Sequence, residues 1–449
     1  MTLLIERYGN YQCLLMNRAA MTPLRFPPGF LWGTATAAHQ VEGGNSNNQW
    51  WDWERQGRVW HGDRSGDACD WWRAAEADFA RAAALGQNAQ RLSVEWSRIE
   101  PREGEFDDAA LGRYRAMLQE LRRLGITPMV TLHHFTDPRW LAARGGWLHP
   151  DTPARFARFA RRVVGALGDL CGLWLTINEP NVYAVEGYLL GQWPPGATDL
   201  SQTLRVVRGL LRGHAAAAAA IHEVDRALKV GLAHNLRLFD PATPAMRDRA
   251  VAAAQDYMLN ELLLRALRTG RLPPPLGDGL RAWPGLRESC DFVGLNYYTR
   301  VRVAFDRSRA GQLFGRNFTP PEVPQGDRTR SGESYGELYP AGMERALRRV
   351  ARLGRPIYVT ETGIPDADDD LRPRYLASYL AAVHRAIREG VDVRGVFLWT
   401  LVDNFEWAEG WGLRFGLYAL DERTQRRSAR RSAALYAAFA RANALPGDA

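Results

Sequence analysis

Of the 58 lysine and arginine residues in this 449-residue chain a single one is a lysine, Lys229, and the arginines are spread over the helical stretches rather than gathered into a block. A formal charge of +8 would otherwise invite nucleic acid, but phosphate binding needs a basic patch and the sequence offers none. The four cysteines, Cys13, Cys69, Cys171 and Cys290, lie far apart, with no pair at disulfide-framework or metal spacing. They read as free, buried thiols of a reducing compartment, which points to the cytoplasm. No apolar run approaches the ~20 residues that cross a bilayer, so no membrane partner is expected. Near the N-terminus Glu6, Arg7 and Arg18 interrupt the short apolar pieces, which makes a poor secretory signal. Met1, Met16 and Met21 are each candidate starts; residues 1–25 are expected to be a poorly ordered extension, 26–444 one domain and 445–449 a tail.

A hydrophobic share of 46% is enough for a large core, and the length suits an eightfold α/β barrel with insertions. From Phe26 onward short apolar runs alternate with helical patterns. Eight runs stand out: 30–33, 89–94, 127–132, 174–177, 230–233, 292–295, 357–360 and 396–399. Between them lie amphipathic stretches such as 74–85, 114–124, 156–170, 257–267 and 375–387, several stopped by Gly86, Gly125, Gly270 or Gly390. Strands alternating with helices through right-handed crossovers give a parallel sheet, and eight units close it into a (β/α)8 TIM barrel with long loops at its C-terminal face. The segment 300–339, rich in Gly, Pro, Arg and Thr, is expected to be an irregular loop over that face.

Residues at the carboxyl ends of such strands converge on one site. Reading them off gives Gln40 and Glu42, Arg91, His134, Asn178 and Glu179, Asn296 and Tyr298, Glu361, and Trp399 with Glu406 and Trp407. Carboxylates, amides and a histidine bridge vicinal hydroxyls, and tryptophan faces stack on the apolar side of a pyranose. Glu179, closed by Pro180, and Glu361 end two apolar runs in the same way, and paired carboxylates cleave glycosidic bonds. Arg91, the one cation at a predicted strand centre, would hold Glu361 charged, with Tyr298 donating to it. Duller readings stand beside these: Arg91 as half of a buried ion pair, His134 as a satisfied barrel histidine, His133–His134 as part of a metal site for which no third ligand is in view. His214, His222 and His384 fall within helical patterns and read as structural. Glu42, Glu95 and Glu337 show no matching partner in the sequence and are set aside.

Taken in order, these motifs resemble the glycoside hydrolase family 1 β-glycosidases, the β-glucosidase family, from about Phe26 to Tyr436. The resemblance is carried by Phe30-Leu31-Trp32-Gly33-Thr34-Ala35, Arg91-Leu92-Ser93-Val94-Glu95-Trp96, Thr131-Leu132-His133-His134, Thr176-Ile177-Asn178-Glu179-Pro180, Gly294-Leu295-Asn296-Tyr297-Tyr298, Thr360-Glu361-Thr362-Gly363 and Trp399 through Trp407. It implies a retaining mechanism with Glu179 as acid/base and Glu361 as nucleophile. It further implies Asn178 on the sugar 2-hydroxyl, Gln40, His134, Glu406 and Trp407 on the other hydroxyls, and Trp399 as the floor. Arg91, Asn296 and Tyr298 would support the nucleophile, with no metal or organic cofactor. A small β-glycoside or oligosaccharide is the implied partner; a homo-oligomer stays open.

The chain departs from the family pattern at Thr362, where asparagine is usual, at Phe135, where tryptophan is common, and at Gly336, where a tryptophan often precedes the run Glu337-Leu338-Tyr339-Pro340. Glu406, with Leu413 in place of a lysine, points away from 6-phosphorylated sugars and toward glucosides, galactosides or fucosides. Two readings remain beside a hydrolase: a transglycosidase using the same glutamates, and a non-catalytic sugar-binding barrel.

Overall fold

Each of the eight apolar runs forms a strand in the computed structural model, which describes residues 23–447. Cys13 and the candidate starts Met1, Met16 and Met21 lie outside the described residues. The strands are β1 (Leu31–Ala35), β2 (Ala89–Ser93), β3 (Thr127–His133), β4 (Leu173–Asn178), β5 (Lys229–Asn235), β6 (Val293–Asn296), β7 (Ile357–Thr362) and β8 (Val393–Leu398). All pair parallel in chain order, and β8 returns to β1 to close the barrel. Both faces of each strand are covered, which explains runs that are apolar almost throughout rather than alternating.

The ladder is irregular at informative places. Register shifts fall between Leu175 and Asn178, between Val359 and Glu361 on one side of β7, and between Val359 and Thr362 on the other. Such bulges re-aim side chains at barrel rims, and these lie at the ends that carry Asn178 and Glu361.

The expected helices form, among them Trp71–Ala84, Asp108–Arg123, Thr152–Leu167 and Arg372–Arg388. Gly86, Gly125, Gly270 and Gly390 stop their helices with φ between 68° and 92°, the left-handed turn glycine adopts without strain. The longest helix, Leu200–Val224, holds His214 and His222, which the sequence placed within helical patterns without bounding the stretch. Its run Ala215–Ala220 blurs the apolar stripe, because alanine is tolerated on both faces.

The segment 300–339 corrects the expectation of an irregular loop. It holds strands Arg300–Phe305 and Gly315–Phe318, which form a three-stranded sheet with Leu238–Pro241. The period-two pattern Arg300-Val301-Arg302-Val303 carries that signal: Val301 and Val303 pack on Val251 and Ala252 of helix Met246–Asp256, in a small core of their own. This sheet stands over the barrel mouth and forms one wall of the site. At the opposite end Leu24–Arg25 pairs with Ala444–Leu445, so residues at the edge of the expected extension and tail are tied to each other. Among the described residues no helix is long and apolar enough to cross a membrane.

Candidate active site

A cavity of about 450 Å³ opens at the C-terminal face of the barrel, lined by His134, Glu179, Tyr298, Glu361, Trp399, Glu406 and Trp407 together with an outer rim. Its size is that of a small-molecule site.

Arg91 sits at the centre of the floor and is fully buried. Four of its five N–H groups are taken up by neighbours on three strands. Nε donates to Thr131 Oγ1 (3.1 Å), Nη1 to the Thr360 carbonyl (3.1 Å) and Glu361 Oε1 (2.5 Å), and Nη2 to Asn178 Oδ1 (2.7 Å). Tyr298 Oη donates to the other Glu361 oxygen, Oε2, at 2.6 Å. Burial pushes the Tyr298 phenol well above its ordinary range, so it stays a donor. Replacing Arg91 by methionine strands a carboxylate and three other acceptors in a buried site, at a cost of about 3–5 kcal/mol. We expect a matching fall in unfolding free energy by denaturant titration, with only partial recovery in Arg91→Lys, whose ammonium cannot reproduce the planar fork.

Glu179 follows β4 directly. Its φ of 45° is left-handed, a conformation that costs a non-glycine residue about 1–3 kcal/mol, and Pro180 then opens the short helix Pro180–Ala184. The strain turns the carboxyl into the cavity, where one oxygen, Oε1, accepts from Asn235 Nδ2 (2.8 Å) and Asn296 Nδ2 (2.7 Å). Burial, then the Glu361 charge, raise the Glu179 carboxyl to about 8, against the pull of those two amides and Arg91. The two glutamates thus occupy unlike sites: Glu361 is gripped by a cation and a phenol, Glu179 by neutral amides alone.

Asn296 corrects one expectation. It donates to Glu179 and, at 3.1 Å, to Asn178 Oδ1, not to the nucleophile candidate Glu361, and its own Oδ1 accepts from Thr360 Oγ1 (2.6 Å). Asn296 still pairs with Glu361 in the β6–β7 ladder, just past a register shift, while its amide nitrogen reaches the two residues at the end of β4. Asn178 becomes the hub of the floor, with Oδ1 held by Arg91 and Asn296 and Nδ2 donating to His134 Nε2 (3.1 Å). Burial, then Arg91 and His133, depress the His134 imidazole well below its ordinary range, so it is neutral.

Glu406 gathers the remaining sugar-type groups. Its Oε2 accepts from Gln40 Nε2 (3.1 Å) and Trp399 Nε1 (3.3 Å). Burial raises it to about 8; the Trp399 bond opposes that and the Glu361 charge adds to it. Trp399 and Trp407 both lie nearly parallel to the His134 ring, at 6.0 Å. Gly363 is required here: a Cβ on it would lie 2.1 Å from the Trp399 carbonyl.

All eleven predicted site residues are therefore gathered at one barrel mouth; of the contacts predicted among them, Arg91 and Tyr298 reach Glu361 and Asn296 does not. The acids set aside have partners after all, away from the cavity. Glu42 accepts from Arg98 (3.0 Å) and Tyr114 (2.6 Å), Glu95 from Ser97 Oγ (2.6 Å), and Glu337 from both ends of the Arg300 fork (2.8 Å each). His133 turns outward to Asp137 (3.0 Å). At the departures, Thr362 Oγ1 pairs with Tyr375 Oη (2.7 Å), and a Cβ on Gly336 would lie 2.4 Å from Thr299, so this backbone leaves no room for a larger residue. Asn235 and Tyr335 were missed. Asn235 lies two residues past the run 230–233, the one strand whose end was not read for polar groups; Tyr335 sits in a loop with no local pattern.

A parallel barrel whose fourth and seventh strands present two buried glutamates to one aromatic-lined cavity defines a glycoside hydrolase. The chain belongs to glycosyl hydrolase family 1, whose sequence profile matches residues 22–445. It is 33% identical to β-glucosidase A of Thermotoga maritima, over 95% of this chain and all of that protein, and 35% identical to thermostable β-glucosidase B of Thermobispora bispora, over 94% and 92%. Among solved structures, the Thermotoga maritima β-glucosidase in complex with glucoimidazole superposes with a TM-score of 0.85 at 32% identity, covering 94% of this chain and 100% of that one. The β-glycosidase from Pyrococcus horikoshii gives 0.85 at 37%, covering 94% and 96%.

Proposed function

We propose that this chain is a retaining, exo-acting β-glycosidase that releases a terminal β-linked sugar, glucose foremost and galactose or fucose besides, from a small glycoside or oligosaccharide. The contrast between the two glutamates carries the reading. Glu361 attacks the anomeric carbon while Glu179 gives its proton to the departing glycosidic oxygen; the C–O bond breaks and a glycosyl ester forms on Glu361. Water then enters, Glu179 takes its proton, and the ester is cleaved with overall retention. Asn178 is placed to hold the 2-hydroxyl, and Gln40, His134, Glu406 and Trp407 the other hydroxyls above Trp399. The residues need no metal or organic cofactor for these steps. Three free, buried thiols, Cys69, Cys171 and Cys290, suit a cytoplasmic setting.

The test is a panel of p-nitrophenyl β-glucoside, β-galactoside, β-fucoside and 6-phospho-β-glucoside, with product anomers followed by NMR. The β-anomer is expected first, with the glucoside fastest and the 6-phosphate untouched; an α-anomer first, or no release from any sugar, rejects the reading. Glu406→Gln, which puts an amide in place of a carboxyl that burial raises to about 8, is expected to cost about twofold to tenfold in kcat/KM on the glucoside near pH 7, the range for a hydrogen bond between neutral groups. The same panel measures it.

A further inference from the structure

One pair of charged side chains in the cavity has no task in these steps. Glu186 and Arg237 both line it and both are half-buried. Among the described residues neither side chain makes an ion pair or hydrogen bond. Their backbone carbonyls are engaged, by the Gln192 and Trp193 amides and by Asn260 Nδ2 (2.7 Å). Arg330, the neighbouring rim arginine, is by contrast latched, its backbone N–H on Glu409 (2.6 Å) and Nη2 on Gln192 Oε1 (3.1 Å). Burial drives the Glu186 carboxyl above its ordinary range and the Arg237 guanidinium pulls it back, so the two charges sense each other without meeting.

Their place in the fold says what they face. Asn235, Arg237 and Phe239 alternate with the buried His234, Leu236 and Leu238 along extended chain, and all three line the cavity. Asn235 holds Glu179, and two residues of extended chain advance about 7 Å, so Arg237 stands roughly one ring beyond the acid on the leaving-group side. Glu186 approaches from the other flank, on a one-turn π-helix, Val185–Leu189, that continues the helix begun at Pro180. π-turns of this kind recur at functional sites. Phe239, Val301 and Phe318 add an apolar shelf from the three-stranded sheet.

We propose that Glu186 and Arg237 form the leaving-group subsite by bridging the hydroxyls of a second sugar, which makes the enzyme selective for oligosaccharides over aryl glycosides. This rests on the glycosidase reading above. A carboxylate only accepts and a guanidinium only donates, whereas a sugar hydroxyl does both, so a diol completes the pair that the protein leaves open. The aromatic shelf suits the C–H face of the same ring.

The experiment compares kcat/KM for cellobiose and laminaribiose with that for p-nitrophenyl β-glucoside in Arg237→Ala, Arg237→Lys and Glu186→Gln. In Arg237→Ala and Glu186→Gln the disaccharides are expected to lose about tenfold to a hundredfold more than the aryl glucoside, chiefly through KM. Arg237→Lys should recover part of the loss. Equal losses on both substrate classes, or no extra loss on disaccharides in either variant, overturn the assignment. Turnover of the aryl glucoside by the unaltered enzyme checks the underlying reading separately; its absence would remove that reading and the subsite together.

Discussion

Glu361→Gln is expected to abolish turnover on every β-glycoside, by on the order of 10⁴-fold or more, whatever the leaving group. An amide is a poor nucleophile, and its geometry here compounds the loss. Oε1 and Oε2 of Glu361 both accept, from Arg91 Nη1 and Tyr298 Oη, so an NH₂ at either position meets a donor. The insensitivity to leaving group is the discriminating feature, because every substrate must form the same glycosyl ester. A companion measurement uses Glu361→Gly with azide. The small anion can enter the space left by the carboxylate and attack an activated aryl glycoside from that side, and the expected product is the α-glycosyl azide. Persistent turnover by a clean Glu361→Gln preparation, or a β-azide, would place the nucleophile elsewhere.

Much of this site was readable because strand-end chemistry is local. A run such as Leu173-Trp174-Leu175 closed by Asn178, Glu179 and Pro180 announces both a strand and what it delivers, and the barrel rule then places the delivery at one face. Arg91 was legible for the same reason, as a cation within an apolar run. What escaped depends on register and on contacts distant in sequence. Asn296 was assigned to Glu361 through the family resemblance, yet its amide donates to Glu179 and Asn178 at the end of β4 instead, a choice of partner that only the packed barrel reveals. Glu42 and Glu337 looked unpartnered because Arg98 and Arg300 reach them only once separate elements pack. The bounds of helix Leu200–Val224, though not its helical pattern, were blurred by its own alanines, and the sheet over the mouth was hidden by the Gly and Pro content of its connecting turns.

For Glu179→Gln the expected result is a pattern rather than a uniform loss. General-acid help is worth about 10²–10⁴-fold, so disaccharides, whose leaving alkoxide needs the proton, should lose that much, and dinitrophenyl glycosides far less. With the carboxyl at about 8, kcat/KM on disaccharides in the unaltered enzyme should fall as pH rises through 8, and in the variant on activated substrates the share of that alkaline limb owed to Glu179 should be gone, leaving only the titration of Glu406. Stability should move the opposite way. The folded value, about 8, lies above the ordinary 4.5. Between those two values the unfolded chain has released its proton while the folded protein keeps it, so stability declines with rising pH by about 1.4 kcal/mol per unit. Glutamine has no proton to lose, and its Oε1 can still accept from both Asn235 and Asn296. Glu179→Gln should therefore be more stable than the parent at pH 7 by up to a few kcal/mol, with the gap closing toward pH 4.5, as thermal melts across pH would register. Loss of activity equal on all substrates, or a variant destabilised at neutral pH, would mean that Glu179 is held as an ion in the folded protein, and an ion has no proton to give the leaving group.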